Sequence, residues 1–501
     1  MASDLIISKK DEVFAKITCE KHIARELSEY FTFFVPGHQF TPAFRNKIWD
    51  GKIRLFNSQS YTIYLGLMNY IKEFCEEREY TVEYDETRPD LEDEFSVYHF
   101  NKFAESLNLH SRGKPIEVRE HQRDAVIDAM QRRRALLLSP TASGKSLIIY
   151  LLFRQLLDYQ DLKGLIIVPT TSLVEQLYSD FADYSSENGF DVADNVHRIY
   201  QGKDKHSDKK LIISTWQSIY QLPKEYFEQF DYVIGDEAHL FKAQSLTTVM
   251  TSANKTKYRI GLTGTLDGTK THKLVLEGLF GSVKRVITTK ELIDKKQLSD
   301  FKIKCLVLKH PDEKCEELKD ATYQEEIEYL ISNNQRNKFI KNLAISLGTN
   351  TLVLYQMVDK HGKILYNMIK DSENIGDRKV FFVHGNTDTE DREQIRHIME
   401  QENDAIVVAS FGTFSTGINI RNLHNIIFAS PSKSRVRNLQ SIGRGLRQAE
   451  GKDIATLYDI ADDLRYKKHM NFTLKHFVER VKIYTEEKFT FKLYNIGLKN
   501  G

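Results

Sequence analysis

No stretch of this chain approaches the run of roughly 18 to 20 apolar residues that a membrane-spanning helix needs. The start, MASDLIISKKDE, sets Leu5, Ile6 and Ile7 between charges and reads neither as a secretion signal nor as an anchor, so a cytoplasmic protein is expected. Cysteine is scarce. Cys19, Cys75, Cys305 and Cys315 show no Cys-x-x-Cys pairing, which argues against a zinc site or a disulfide framework and for reduced, packed thiols. Net charge is nearly absent too, with 71 basic against 70 acidic residues, so any nucleic-acid binding must come from local clusters rather than a global field. No repeat with a period of about 20 to 50 residues is apparent.

What the chain has is alternation. With 501 residues it is long enough for roughly three domains. From Pro115 onward, short apolar runs alternate with helical segments: Ala135 to Leu138, Gly164 to Val168, Leu211 to Ile213, Tyr232 to Ile234 and Ile260 to Leu262. The pattern pauses between about 270 and 300 and restarts at Thr351 to Tyr355, Lys379 to Val383, Ala405 to Ala409, Asn425 to Ala429 and Ile454 to Tyr458. Such alternation is the mark of βαβ units, and it predicts an α/β chain with two successive parallel-sheet domains facing one another. The boundaries read as a small N-terminal α+β domain over 1–108, a first α/β domain over 109–295, a second over 296–464 and a basic extension over 465–501. Acidic residues from Asp85 to Glu94 look like part of a linker.

The first domain carries ALLLSPTASGKS, residues 135–146. An apolar strand, a tight loop and a helix opening at Gly144-Lys145-Ser146 make a phosphate cradle. Backbone N–H groups over Thr141, Ala142, Ser143 and Gly144 would face phosphate oxygens, Lys145 would reach the β and γ phosphates, and Ser146 would hold Mg²⁺. The strict pattern GxxxxGK[ST] fails at one place, where Ser139 replaces the first glycine. The second piece is YVIGDEAH, residues 232–239, an apolar strand ending in adjacent carboxylates. Asp236 can hold Mg²⁺ while Glu237 orients and deprotonates an attacking water, and His239 would bond across to a neighbouring element. Adjacent acids after a strand also serve as plain helix caps. The two pieces together favour an ATPase.

These stretches, with VPTTSLVEQ (168–176), STWQS (214–218), GLTGT (261–265), SFGTFSTGIN (410–419) and QSIGRGLRQ (440–448), resemble in that order the motif series of superfamily 2 helicases. The resemblance covers about residues 115–465. Within the superfamily, TTKELIDKKQLSD (288–300) and the front segment WDGKIRLF resemble phage recombination helicases, with Gly264 standing where many relatives have alanine. It implies two tandem RecA-like domains and an ATP- and Mg²⁺-dependent motor on branched DNA: Holliday junctions, forks and displacement loops. A monomer in the host cytoplasm, with recombination proteins as candidate partners, goes with that. Beside it stand an RNA-directed helicase, a restriction-system translocase subunit and a nucleotide-switched binding protein with slow ATP turnover.

Other residues take roles from the residue types themselves. Arg444 and Arg447, three apart on an expected helix, are candidate arginine fingers for the γ-phosphate, the alternative being contacts to nucleic-acid phosphates. Gln440 would help place the attacking water. Gln122 would read the adenine edge through its amide, with Arg119 packed near the base. Contacts to nucleic acid are expected from loops after strands, at Pro169, Thr170, Thr215, Trp216, Thr416 and Gly417, where small hydroxyls and open N–H groups bind phosphate without reading sequence. In the front domain, FRNKIW and KIRLF flank Asp50-Gly51, which predicts a hairpin with Arg45, Lys47, Lys52 and Arg54 among Phe44, Trp49 and Phe56. It reads as a wedge or clamp on nucleic-acid backbone, with cations on phosphates and an aromatic stacked on a base, or as an ordinary solvated face over an aromatic core. The segment after 465 has nine basic and three acidic residues, and Phe472, His476, Val478 and Val481 suggest a helix that either faces DNA or packs on the second domain.

Overall fold

The computed structural model describes residues 3–85, 95–200, 202–417, 420–432, 434–446 and 452–498, with the backbone alone at 242, 389, 415–417 and 436–437. It divides into two compact units, Met1–Ser139 with Ser143–Ile287, and Thr288–Gly501 with the short Pro140–Ala142 segment. Most of the expected linker, residues 86–94, lies outside the described residues.

In the first unit seven parallel strands lie in the order Val196–Ile199, Leu211–Thr215, Gly164–Val168, Tyr232–Asp236, Tyr258–Thr263, Arg134–Leu138, Val283–Arg285. The inner strands are mainly apolar because both their faces are covered, whereas the edge strands carry His197, Arg198, Lys284 and Arg285. Ala135, Leu137, Ile166 and Ile234 enter one core with the helices Glu120–Arg132 and Lys145–Gln160. Leu136, Leu165, Ile167 and Val233 enter the other, with the helices Gln244–Ser252 and Lys270–Phe280.

Residues 5–84 build their own sheet, in the order Phe56–Asn57, Thr62–Tyr64, Phe14–Cys19, Leu5–Lys9, Val82–Tyr84. They do not stand apart from it, however. Phe56, Leu65, Leu67, Ile71 and Phe74 share the second core with Leu274, Leu279 and Phe280. Tyr70 OH donates to Glu277 at 2.7 Å, and Arg134 reaches Glu12 at 2.9 Å. Behind them Arg259 is fully buried, and its guanidinium donates to the carbonyls of Met250, Ala253 and Leu279. Burial, with the Arg134 charge adding to it, pushes Arg259 down to about 9.

The hairpin expected at Asp50-Gly51 is absent. Lys52–Arg54 pairs antiparallel with Thr32–Phe34 instead, and Phe44 and Arg45, the start of the expected first arm, close a short helix, Pro42–Arg45, capped by Thr41. Pro42 at the first helical position and the Thr41 hydroxyl favour that helix over an extended run.

The second unit repeats the architecture, with seven parallel strands in the order Val380–Val383, Ile406–Ser410, Thr351–Tyr355, Asn425–Phe428, Ile454–Asp463, Asp300–Lys309, Thr490–Gly497. The segment after 465 is therefore built into this sheet rather than appended to it. Its helix, Phe472–Glu486, buries Leu474, Phe477, Arg480, Ile483 and Tyr484, while Phe472 and Val478 of the expected face are exposed. Arg480 fixes that register, because its guanidinium pairs with the buried Asp459 carboxylate at 2.8 Å. Among the described residues no helix is long and apolar enough to cross a membrane. The four cysteines are free thiols, three of them buried.

Candidate active site

The strand Arg134–Leu138 delivers the chain into the loop that precedes the helix Lys145–Gln160. Ser139, the departure from the glycine pattern, is accommodated by a bond across the loop, Ser139 Oγ to Ser143 Oγ at 2.6 Å, with both residues buried. Ala142 and Gly144 have left-handed backbones, φ 67° and 85°. Only glycine serves at 144, because a Cβ there would also stand 2.1 Å from Gln122 Nε2.

Gln122 is tied on both sides of its amide. Oε1 accepts from the Arg119 backbone N–H at 3.0 Å, and Nε2 donates to the Ser143 carbonyl at 3.0 Å. One amide N–H and one lone pair are left for an adenine edge. His121, which sequence reasoning passed over, is buried beside it, and its Nε2 donates to the same carbonyl at 2.9 Å. The pair braces the loop from behind. Arg119 itself is exposed at the start of this helix, and Thr141 is half-buried.

Across from the loop, Tyr232–Asp236 ends in the two carboxylates, which sequence places 92 positions from Lys145. Lys145 Nζ donates to Glu237 Oε1 at 3.0 Å. Glu237 has φ 51°, and its N–H donates to Asp236 Oδ1 at 2.9 Å, so the left-handed turn sends neighbouring carboxylates in different directions. Burial pushes the Asp236 carboxyl up to about 6, with Lys145 opposing and Glu237 adding to the rise. Burial would do the same to Glu237, but Lys145 and then His239 more than offset it and hold that carboxyl well below the ordinary range. Glu237 thus stays ionised. Its second oxygen, Oε2, is buried 3.3 Å from His239 Nδ1 and keeps acceptor capacity for a water. His239 does bond to a neighbouring element, Nδ1 to Thr263 Oγ1 at 3.0 Å, and Thr263 Oγ1 in turn donates to the Thr265 carbonyl at 3.0 Å.

Ser146 Oγ lies 3.0 Å from the hydroxyl of Tyr184, which burial pushes up to about 12 and so keeps protonated. Tyr184 ends the helix Thr171–Tyr184, whose N-cap is Thr170. No sequence motif marks it. One helix thereby joins the expected metal-holding hydroxyl to an expected nucleic-acid loop. Ser146 and Asp236 would offer a hydroxyl and a carboxylate, hard oxygen donors of the kind Mg²⁺ takes while keeping several waters.

The remaining expected residues are placed as follows. Pro169 and Thr170 are half-buried at a strand end, where Gln217 Nε2 donates to the Pro169 carbonyl at 3.4 Å. Thr215 is buried, with Oγ1 2.9 Å from Ser218 Oγ. Trp216 is half-buried against the core, edge-on to Tyr220 at 5.6 Å. Arg45, Lys47, Lys52 and Arg54 gather on one front segment, 45 and 47 exposed and Arg54 paired with Asp50. In the second unit Gln440 and Arg444 lie on the helix Arg435–Gly445, Arg444 over the Phe414 ring at 5.9 Å. Thr416 and Gly417 fall on the helix Phe411–Gly417, where the backbone alone is described, and Arg447 lies outside the described residues.

Three family profiles fit the chain: DNA helicase UvsW, N-terminal, over residues 4–85; type III restriction enzyme, res subunit, over 115–268; and helicase conserved C-terminal domain over 334–449. The chain is 36% identical over 512 aligned residues to the ATP-dependent DNA helicase uvsW of Enterobacteria phage T4, covering 99% of this chain and 100% of that protein. It belongs to the UvsW family of superfamily 2 helicases. This helicase is an ATP-hydrolysing enzyme built on two tandem RecA-like sheets. The crystal structure of T4 UvsW matches with a TM-score of 0.53 and 34% identity, over 99% of this chain and 100% of that one. A type ISP restriction-modification enzyme, LlaBIII bound to DNA, shares the fold alone, with a TM-score of 0.57 at 17% identity over 77% of this chain and 32% of its own.

Proposed function

We propose that this helicase is an ATP- and Mg²⁺-dependent DNA motor that unwinds and branch-migrates Holliday junctions, forks and displacement loops. The observation that carries the chemistry is the Lys145–Glu237 pair, which brings a phosphate-binding cation and a carboxylate base together from distant stretches. The DNA substrate rests on the name of the phage T4 relative and on the cationic front segment.

Lys145, paired with Glu237 at 3.0 Å, neutralises the base. A triphosphate seated in the loop would draw the ammonium away, and the Glu237 carboxylate would then rise in basicity and take the proton of an attacking water. Asp236 and Ser146 would hold Mg²⁺, which supplies charge neutralisation to the transferring phosphoryl group. Gln440, Arg444 and Arg447 are assigned to the attacking water and the charge of the transition state, and Gln122 and Arg119 to the base. The path Glu237–His239–Thr263–Thr265 would link nucleotide state to the grip on DNA. Pro169, Thr170, Thr215, Trp216, Thr416 and Gly417, with the front cations, are assigned to DNA. Branch migration exchanges one set of base pairs for an equivalent one, so the motor mainly supplies direction and speed. Action as a monomer in the host cytoplasm, alongside recombination proteins, completes the reading.

Strand exchange on a synthetic four-way junction, with and without ATP, tests it. Exchange that requires ATP, and ATP turnover stimulated more by junctions than by linear duplex or RNA, is expected. Stimulation by RNA alone, or slow turnover indifferent to every nucleic acid, would replace it with an RNA helicase or a nucleotide-switched binder.

A further inference from the structure

The segment joining the strands Thr32–Phe34 and Lys52–Arg54 puts large apolar side chains in water. Phe40 is 69% exposed and Ile48 79%, with Phe34 at 56% between them and the sheet. Looseness does not explain this, because the segment is tightly built. The His38 ring stacks on Phe34 at 4.9 Å and meets Phe44 edge-on at 4.7 Å, and its Nδ1 bonds the Val35 carbonyl at 2.9 Å. The Val35 N–H donates to the Gly51 carbonyl at 2.8 Å, and Trp49 Nε1 to the Lys52 carbonyl at 3.0 Å. Gly51, at φ 77°, is needed where it is, since a Cβ there would stand 2.4 Å from the His38 ring. Lys47, just before Ile48, holds a left-handed backbone at φ 57°, strain that a non-glycine residue keeps only where the surroundings enforce it.

Beside Ile48 opens a cleft of about 790 Å³ lined by Phe44 and Trp49 together with Arg45, Lys47 and Asp50. Lys52 Nζ stands over the Phe34 ring at 4.8 Å. The single acid, Asp50, is engaged by Arg54, so the cleft presents aromatic faces bordered by cations. The mount is firm. Thr271 Oγ1 donates to the Phe34 carbonyl at 3.5 Å, and Lys270 Nζ lies over Phe33 at 5.7 Å, both at the start of the helix Lys270–Phe280 that follows Thr263 and Thr265.

We propose that Phe40 and Ile48 form a wedge that enters a branched nucleic acid where its strands part, with an unpaired base against Phe44 and Trp49 and flanking phosphates on Arg45 and Lys47. Aromatic faces between cations are what a base and its phosphates require. A protein partner fits less well, because lysine is depleted from the apolar centres of protein interfaces. The branch point is the specific target, since an apolar wedge inserted in an intact duplex must first unstack it, whereas at a junction that stacking is already broken. The proposal rests on the DNA-motor reading, and gives the front segment a role distinct from charge neutralisation.

The full chain is tested on a fork carrying 2-aminopurine at the branch position, against the same probe inside a duplex arm. Binding is expected to change fluorescence at the branch position alone, and Phe40→Ala with Ile48→Ala is expected to remove that change. Strand separation at forks should fall at least about tenfold, part of the cost of unstacking one base step without the wedge, measured relative to each protein's own ATP turnover on linear single strands. Phe40→Trp should restore both. Because both side chains are exposed, an unchanged Tm will confirm that the variants fold. A double variant matching the starting protein in branch fluorescence and fork opening overturns the wedge, whether or not these residues also bind a protein. If the starting protein lacks DNA-stimulated ATP turnover altogether, the motor reading fails with Phe40 and Ile48 intact, which separates that failure from this one.

Discussion

Lys145 and Glu237 form an ion pair but are assigned different tasks, phosphate binding and proton transfer, so the two substitutions should separate binding from chemistry. Lys145→Ala is expected to lose both nucleotide affinity and turnover. Glu237→Gln should lose turnover by at least about a hundredfold, the usual worth of a general base, while a fluorescent ATP analogue still binds. Turnover near the starting rate in Glu237→Gln would remove that residue from the chemistry. A second residue-level expectation concerns pH. His361 is buried with its ring nitrogens 3.0 Å from Ser430 Oγ and 3.2 Å from Asn337 Oδ1, and burial, then the Arg336 charge, push it down to about 3. Its pKa is depressed on folding, so between about 6.5 and 3 the unfolded chain binds the extra proton. Stability is therefore full above about 6.5 and falls with acidification, by about 1.4 kcal/mol per pH unit from this group. His361→Gln should flatten the pH dependence of the second unit's melting over that range. At this scale the sequence was informative where a motif fixed the spacing, as with Lys145 and Glu237. It was silent on His121 and Tyr184, whose roles come from meeting Ser143 and Ser146 across 22 and 38 positions.

Among elements, the helix Thr171–Tyr184 links two proposed contacts, the Thr170 loop at its start and Ser146 at its end. Removing one hydroxyl, in Tyr184→Phe, should loosen the orientation of Ser146. We expect about tenfold more Mg²⁺ to be needed, both for turnover and for the rise in Tm that ATP with Mg²⁺ produces, as for other groups that orient a metal ligand. An unchanged Mg²⁺ requirement in both measurements would reduce Tyr184 to packing. Alternating apolar runs located the strands at Gly164–Val168 and Thr351–Tyr355 to the residue, because parallel strands buried on both faces leave continuous runs. The strand Asp300–Lys309 was missed for the converse reason. Its Lys302 and Lys304 break the run, yet it lies inside the second sheet. The front hairpin failed because Asp-Gly was read from its flanks, while Thr41-Pro42 had already started a helix. In Phe472–Glu486 the buried face includes Arg480, a residue that pattern reasoning assigns to water until the buried Asp459 opposite it is known.

At the level of the whole molecule, the front sheet shares a core with the first RecA-like sheet. Removing residues 1–112 would uncover Leu274, Leu279 and Phe280 and leave Arg134 buried without Glu12. Such a truncation is expected to be insoluble, and expression with gel filtration will show it; a soluble, monodisperse product would mean the two sheets are separable. The milder Glu12→Gln should lower stability by about 3 kcal/mol, the cost of leaving a buried charge uncompensated.

The strand Thr490–Gly497 lies beside Asp300–Lys309, which leaves the ribosome about 180 residues earlier. At about 5 to 20 residues per second, that opens an interval of roughly ten to forty seconds in translation. Throughout it the strand Asp300–Lys309 has an unmatched margin, and late in it, between the synthesis of Asp459 and of Arg480 21 residues on, the carboxylate also lacks its guanidinium, so recruitment of a chaperone to the emerging polypeptide should peak before Arg480 appears and decline once the closing strand clears the exit tunnel.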